Sequence, residues 1–196
     1  MGGEFFLGVP VGLLGEELQR EEGLAATGWG IDLGVTFQYW WLNAMVDAGF
    51  EHYDDSQSFT VTVVDSYGRV FDAESRLNLS YFAPSVGPKT PVLPVIKPYL
   101  AVTLGAQIGY AMPFDTSRQI VNCEDCPKDH VSVRGGPFVE PILELLWPST
   151  SGAQLGLAAS WQEFLGDSDY ERKFVFRAVV LLQNNPDVWR SSETAP

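Results

Sequence analysis

The feature that most constrains this chain is a strict alternation of bulky apolar residues with small or polar ones. In the stretch 29–39 every odd position holds a bulky apolar side chain, and every even position holds Gly or a polar residue. The stretches 42–51, 100–110 and 154–162 repeat the pattern, and 173–182 follows it less strictly. Successive side chains of a β-strand point to opposite faces, so a period of two indicates strands with one apolar face and one polar face.

Counting these stretches and the turn residues between them predicts an all-β antiparallel fold. We predict eight strands, at about 4–14, 25–39, 41–53, 70–83, 97–112, 131–146, 152–164 and 172–183. The 19 Gly and 13 Pro interrupt the chain too often for a helical bundle. We interpret the alternating stretch 59–65 as an extension of the third strand, turned back at 66–68. A separate ninth strand is the alternative, although single-chain bacterial barrels have even strand counts.

Residue size indicates which face is outside. The polar face is rich in glycine, whereas the apolar face carries Phe, Leu, Ile, Trp and Tyr. The interior of a closed barrel of about eight strands is only just wide enough for side chains. Small residues with a few charged ones suit that interior, so we predict an eight-stranded up-and-down transmembrane β-barrel with its apolar face toward lipid. A soluble lipocalin-like container, with the opposite orientation, is the alternative.

Aromatic residues give a second indication of a membrane. Trp29 and Tyr39 share a face ten residues apart, which at ~3.3 Å per residue and a tilt of about 40° spans roughly 25 Å, the height of an apolar band. Two interfacial girdles are therefore predicted. They consist of Tyr39, Trp40, Trp41 and Trp147 at the end with short turns, and of Trp29, Tyr110 and Trp161 at the other end. The alternative is that Trp and Tyr simply favour strands.

Eight alternating strands, short turns at one end, long polar loops at the other and a charged interior resemble the small outer-membrane β-barrels of Gram-negative bacteria, of the OmpA/OmpX type. The resemblance is architectural and covers about residues 4–183. It implies a location in the bacterial outer membrane, with short turns and both chain ends in the periplasm and long loops outside. The last strand departs from the family because 180–183 lacks the usual terminal aromatic residue.

The predicted barrel domain occupies residues 1–183, and residues 184–196 form a polar segment that we interpret as a flexible periplasmic tail or linker. The first four residues lead into an apolar stretch without a basic region or a cleavage site. We therefore expect a mature chain from which a signal peptide has been removed.

Charged residues at inward positions form the main candidate site. They are Asp32, Asp47, Glu51, Arg76, Arg134, Glu140, Glu144, Lys173 and Arg177. Charges enclosed in a low-dielectric interior must be paired or hydrated. We predict an ion-pair network that fills the lumen. The alternatives are a narrow path for ions or small solutes, and a gate opened by exchange of ion-pair partners.

The predicted outer loops carry most of the excess acid in a chain of net charge −13, and no basic surface is available for nucleic acid. We interpret these carboxylates as a solvated surface. The alternative is divalent-cation binding beside lipopolysaccharide, because hard cations prefer carboxylate oxygens. The spacing Asp167-x-Asp169-x-Glu171 is only part of a calcium-loop pattern. Expected partners are outer-membrane lipid and lipopolysaccharide, with a periplasmic or surface protein as a further candidate, and we expect a monomer.

Cys123 and Cys126 lie in a predicted exterior loop, where a local disulfide is expected in an oxidising compartment. The alternatives are a redox motif or half of a zinc site with His130.

One histidine offers a candidate for catalysis. His52 ends the third strand near Asp54, Asp55, Ser56 and Ser58. A lipid-modifying enzyme with a histidine-activated serine is therefore an alternative. We predict no catalytic residue, cofactor or resident metal, and expect a membrane anchor or surface-interaction scaffold. The alternatives to that scaffold are a narrow channel for small solutes or hydrophobic ligands, and a lipid A-modifying enzyme.

Overall fold

The computed structural model describes residues 2–16, 19, 27–54, 61–64, 70–73, 75–96, 99–120, 131–147 and 153–183. Its strands are β1 (Gly2–Leu14), β2 (Thr27–Tyr39), β3 (Leu42–Tyr53), β4 (Val61–Val64), β5 (Val70–Ala73), β6 (Ser75–Pro88), β7 (Leu93–Ile96), β8 (Leu100–Tyr110), β9 (Met112–Ile120), β10 (Pro137–Trp147), β11 (Ala153–Phe164) and β12 (Tyr170–Gln183). No helix in these ranges is long and apolar enough to cross a membrane.

Antiparallel pairing closes the sheet on itself. The order runs from β1 through β2 and β3 to β6 on one side, and from β1 through β12, β11 and β10 to β8 on the other. β6 then pairs with β8 at Ser85–Gly109 and Val86–Ile108, and with β9 nearer its start. Because β8 and β9 are two parts of one wall strand, interrupted at Ala111, the result is a closed eight-stranded antiparallel barrel. The predicted fold class is confirmed.

The apolar face points away from the barrel axis, as predicted. Phe37, Leu104 and Leu157 are 67%, 50% and 55% exposed, whereas Asp32 and Glu140 are fully buried. A soluble container with its apolar residues around the axis would show the opposite arrangement. The observed orientation is therefore the opposite of that expected for a soluble container.

The chain runs between two different barrel ends. Short connections, such as the two-residue turn Trp40–Trp41, lie at one end, which we call the short-turn end. The other is called the loop end. Trp40 adopts a φ of 57°, an uncommon backbone conformation for a residue with a side chain.

The seven predicted girdle residues, Trp29, Tyr39, Trp40, Trp41, Tyr110, Trp147 and Trp161, are all exposed on the barrel's outer surface. Trp40 is stacked on Tyr39, with ring centroids 6.4 Å apart. Their role as markers of the two membrane interfaces remains a prediction.

Three predicted boundaries need correction. Within the predicted stretch 59–65, the described residues 61–64 form β4, which pairs with β5 in a separate two-stranded sheet and does not extend β3. β6 continues to Pro88, into the predicted turn 84–96, because it pairs with β3 as far as Pro88. Pro84 falls between the β6–β9 and β6–β8 pairings on the other side. β9 occupies the first part of the predicted loop 113–130. The predicted tail 184–196 lies outside the described residues.

The orientation of the barrel predicts the effect of a charge on its outer face. Leu33, 62% exposed, lies between the two predicted girdles on β2. We expect Leu33→Lys to lower the free energy of unfolding in lipid vesicles by about 2–4 kcal/mol, because the ammonium group would be buried in hydrocarbon. Leu33→Met, which keeps an apolar side chain, is the control. Equal unfolding free energies for the two variants in urea titrations would contradict a lipid-facing surface.

Candidate functional site

The lumen contains alternating apolar and charged layers. On β10 the inward residues are, from the short-turn end, Leu146, Glu144, Ile142, Glu140 and Phe138, and all are buried. Each of these five residues belongs to a different cluster of inward side chains, and each cluster is formed by several strands. Three charged clusters therefore lie between or against three apolar ones, and we name the charged clusters after their cations.

The Lys89 cluster is nearest the short-turn end. The Lys89 ammonium donates hydrogen bonds to Glu4 and, over 2.9 Å, to Oε1 of Glu144. Thr36 donates to the Glu4 carboxylate over 3.0 Å, and Thr103 donates to Glu144 over 2.5 Å. All five side chains are buried. One cation thus joins two carboxylates from different strands, β1 and β10, and two hydroxyl groups donate further hydrogen bonds to these carboxylates.

The Arg177 cluster lies in the middle of the lumen. Nη1 of Arg177 donates to Oε1 of Glu140 over 2.8 Å and to the Ser160 hydroxyl over 2.9 Å. Nη2 lies 3.4 Å from Oδ2 of Asp47, and Nε lies 3.6 Å from Oδ2 of Asp32. A single guanidinium therefore faces three carboxylates, which come from β2, β3 and β10. Its several donors in a fixed planar fork suit this arrangement better than an ammonium would.

A glycine makes room for this cluster. A Cβ atom at Gly8 would lie 1.9 Å from Oδ1 of Asp32 and 3.0 Å from Cγ of Arg177. On the same strand the Phe6 ring lies 4.8 Å from the guanidinium carbon of Arg177, a cation–π contact. The absence of a side chain at position 8 is therefore a condition for the observed position of Asp32.

The Lys173 cluster lies toward the loop end. Nζ of Lys173 is 2.7 Å from Oε1 of Glu51 and 3.5 Å from the centroid of the Tyr81 ring. Tyr53 donates its hydroxyl proton to Oε2 of Glu51 over 2.8 Å. The Tyr170 ring centroid is 5.0 Å from the ammonium. Here an ion pair is enclosed by aromatic rings, and Lys173 and Glu51 are fully buried.

Apolar side chains lie between the Lys89 and Arg177 clusters and toward both ends of the lumen. The short-turn apolar cluster consists of Ala101, Leu146 and Leu181. The central apolar cluster consists of Phe6, Met45, Ile142, Ala158 and Val179. The loop-end apolar cluster includes Leu14, Leu77, Leu79, Val131, Val133 and Phe138. On β12, Val179 of the central apolar cluster lies between Leu181 and Arg177, so apolar residues intervene between the ends of the lumen and its charges.

Seven of the nine predicted lumen residues lie in these clusters. They are Asp32, Asp47, Glu51, Glu140, Glu144, Lys173 and Arg177. Arg76 and Arg134 do not, and their assignment is corrected. Arg76 has its Nε 3.2 Å from Oδ1 of Asp54, and Arg134 has its Nη2 2.9 Å from Oδ1 of Asp169, with both arginines largely exposed at the loop end.

The two errors have identifiable causes. On β6 the odd residues Leu77 and Leu79 point inward, so Arg76 points outward. Residues 131–136 precede β10 without strand pairing, and the alternation resets there: Val131 and Val133 point inward, whereas the inward residues of β10 are even-numbered.

Two charged residues of these clusters, Glu4 and Lys89, were missed from the sequence. Glu4 shares its face of β1 with Gly8 and Gly12, so the alternation could have identified it. Lys89 follows Pro88 in a segment predicted as a turn, where no periodicity was available. Its backbone N–H donates to the carbonyl of Trp41 over 2.7 Å, which holds it at the barrel wall.

The remaining candidates whose side chains are described take part in hydrogen bonds or ion pairs. Nδ1 of His52 is 2.8 Å from Oδ1 of Asn78, and its Nε2 is 3.2 Å from Oδ1 of Asp54, so both ring nitrogens are engaged. Asp169 is directed to Arg134, and no group of three or more metal-ligating side chains occurs within the described ranges. Ser56 and Ser58 lie outside those ranges. So do Cys123, Cys126 and His130, whose disulfide or metal role stays a prediction.

The barrel is similar to solved structures of small barrel proteins. The crystal structure of Neisserial surface protein A (NspA) matches with a TM-score of 0.50 and 10% identity, over 92% of this chain and 96% of that one. The crystal structure of the outer membrane protein OprG from Pseudomonas aeruginosa matches with a TM-score of 0.51 and 8% identity, over 92% and 93%. The fold is that of a small outer-membrane barrel. No family model and no curated protein matches this chain.

The burial of the Lys173 cluster predicts a strong effect of neutralising one partner. We expect Lys173→Met to lower the free energy of unfolding by about 3–5 kcal/mol, because the Glu51 carboxylate would remain buried without its cation. Adding Glu51→Gln should recover much of this loss. Arg172→Gln removes the neighbouring cation, whose pair with Glu163 is at the exposed rim, and should change little. Equal effects of Lys173→Met and Arg172→Gln in denaturant titrations would contradict the proposed importance of the buried pair.

Proposed function

We propose that this chain is a bacterial outer-membrane protein with a filled lumen, and that it acts as a membrane anchor or surface-interaction scaffold through its acidic outer loops. The observation that carries the proposal is that packed charged and apolar clusters fill the lumen. Two further features support it: the apolar outer surface of the barrel and the position of carboxylates at the loop end.

The outer surface supports a membrane location. Large apolar side chains are exposed on successive wall strands, among them Leu7, Leu33, Phe37, Leu104, Ile108, Leu157 and Phe176. Soluble monomers rarely expose contiguous apolar patches larger than a few hundred Å². A closed barrel also pairs its backbone groups between strands, as hydrocarbon requires.

The interior supports a filled lumen. Within the three charged clusters six carboxylates face three cations, and every cation forms ion pairs with carboxylates. Arg177 also contacts the Ser160 hydroxyl, and Lys173 also contacts an aromatic ring. These groups are removed from bulk water by the apolar clusters. A hydrated ion would have to displace several packed side chains to pass, so a narrow solute channel is the less favoured function.

The structure of the loop end supports a role for its outer surface in binding partners. The carbonyl of Val131 accepts a hydrogen bond from the Thr116 hydroxyl, which holds 131–133 against the loop-end apolar cluster. The backbone N–H of Arg134 donates to Oδ2 of Asp169 over 2.6 Å. The backbone N–H of Asp169 donates to the carbonyl oxygen of Arg134 over 3.0 Å. Because this end is covered from within, its contacts with partners must use the rim and loops. Asp54, Asp167 and Glu171 are exposed there.

Conductance in planar bilayers tests the filled lumen. We expect the protein, inserted at a density confirmed by its folded electrophoretic form, to give no steady single-channel current above that of a protein-free bilayer. The physical reason is that ions would have to cross apolar layers about as unfavourable as a protein core. Steady unitary currents from the unaltered chain would overturn this part of the proposal.

Binding to lipopolysaccharide tests the surface role. We expect the detergent-solubilised protein to bind immobilised lipopolysaccharide more strongly with Mg²⁺ than with a chelator, because a hard cation can bridge carboxylate and phosphate oxygens. Asp167→Asn with Glu171→Gln should reduce the Mg²⁺-dependent part. Asp167→Glu with Glu171→Asp, which keeps both charges, should retain it. Binding that depends neither on Mg²⁺ nor on these charges would refute the cation-bridged interaction.

A further inference from the structure

A groove of about 440 Å³ opens at the short-turn end of the barrel. Its lining includes Trp41, Pro88, Thr90, Pro91, Leu104 and Ala106. Trp41, Leu104 and Ala106 are exposed on the outer surface, so the groove lies on the apolar face of the wall and not in the lumen. It extends from the predicted girdle at Trp41 toward the middle of the apolar belt.

The groove lies where the regular pairing between two wall strands is interrupted. β6 and β8 pair at 85–86 and 108–109, and then only through a bridge between Lys89 and Gly105. Pro88 lies within this interval and has no N–H to offer. Beyond Lys89, Thr90 is still hydrogen-bonded to Leu104 of β8, and β7 then pairs with β8 in place of β6.

Small residues form the bottom of the groove. Gly105, which lines the groove, has no side chain. Ala106 contributes a single methyl group between the larger side chains of Leu104 and Ile108 on the same face. The concavity is therefore a consequence of the strand sequences.

The polar groups of the walls are already satisfied. Thr90 donates its N–H to the carbonyl of Leu104 over 2.8 Å, and the Leu104 N–H donates to the Thr90 hydroxyl over 2.9 Å. The Lys89 ammonium is turned into the lumen, toward Glu4 and Glu144. An occupant of the groove is consequently selected by apolar contact and shape, not by hydrogen bonding or charge.

We propose that this groove binds one acyl chain of a phospholipid from the periplasmic leaflet. The groove is continuous with the lipid-facing belt, so hydrocarbon reaches it without crossing any polar surface. An empty apolar groove would forfeit dispersion contacts along its walls, which a flexible chain restores. The headgroup then lies beyond Trp41, at the level where interfacial aromatic residues are enriched. This inference rests on the proposed membrane location.

Filling the groove tests the proposal. Ala106→Phe places a ring on its floor, whereas Ala159→Phe adds the same ring to another exposed alanine, on the apolar face of β11. The full chain is inserted into vesicles of phosphatidylethanolamine and phosphatidylglycerol, extracted, and examined by native mass spectrometry. We expect one retained phospholipid in the parent and in Ala159→Phe, and about tenfold less in Ala106→Phe.

Equal phospholipid retention by the parent and Ala106→Phe would overturn the inference, as would loss of the lipid in both phenylalanine variants. Vesicle flotation and the electrophoretic shift between unboiled and boiled samples are measured for all three proteins. A parent chain that fails to float refutes the membrane location itself. A parent that floats and shifts but retains no phospholipid refutes the groove alone.

Discussion

The width of an eight-stranded barrel is the constraint on which the rest of this structure depends. Its interior has room for side chains but little more, so an ionised group placed there has no bulk water around it. Each cation is consequently surrounded by groups from several strands: Arg177 faces carboxylates of β2, β3 and β10. These contacts are between residues distant in sequence, so they tie the closed sheet together from within and fix the positions of strands that already pair by backbone hydrogen bonds.

Glycines and charged residues depend on one another in this lumen. Asp32 occupies the space that a side chain at position 8 would take, and the Tyr53 ring lies where a Cβ at Gly28 would be, 2.4 Å from its nearest ring atoms. Long polar side chains need small residues across from them on the neighbouring strand. The same glycines that identify the polar face in the sequence are thus the physical reason that buried ion pairs fit there, which links the composition of one face to the energetics of the interior.

Alternation predicted the architecture and most of the lumen because both depend on one local quantity, the side of the strand to which a residue points. It gave the orientation of β2, β3, β10 and β12, and hence Asp32, Asp47 and Arg177. It failed where alternation is interrupted. Arg134 precedes β10 across a change of parity, and Lys89 lies in a segment that pairs through a single bridge. Such positions are set by long-range pairing, which a single sequence does not reveal through its periodicity. Arg76 shows a different failure, because it was assigned to the wrong face of an otherwise regular strand.

The two ends of the barrel differ in the chemistry of their outer surfaces. At the loop end, ion pairs such as Arg134–Asp169 and exposed carboxylates face an aqueous surface. At the short-turn end, the wall opens outward into an apolar groove, and the four residues of β7 are exposed on both faces. Carboxylates favour water and cations, whereas a groove without free donors favours hydrocarbon. On the proposed function, the filled lumen leaves the outside of the wall and the rim as the surfaces for recognition, and the surroundings of the two ends are of opposite polarity.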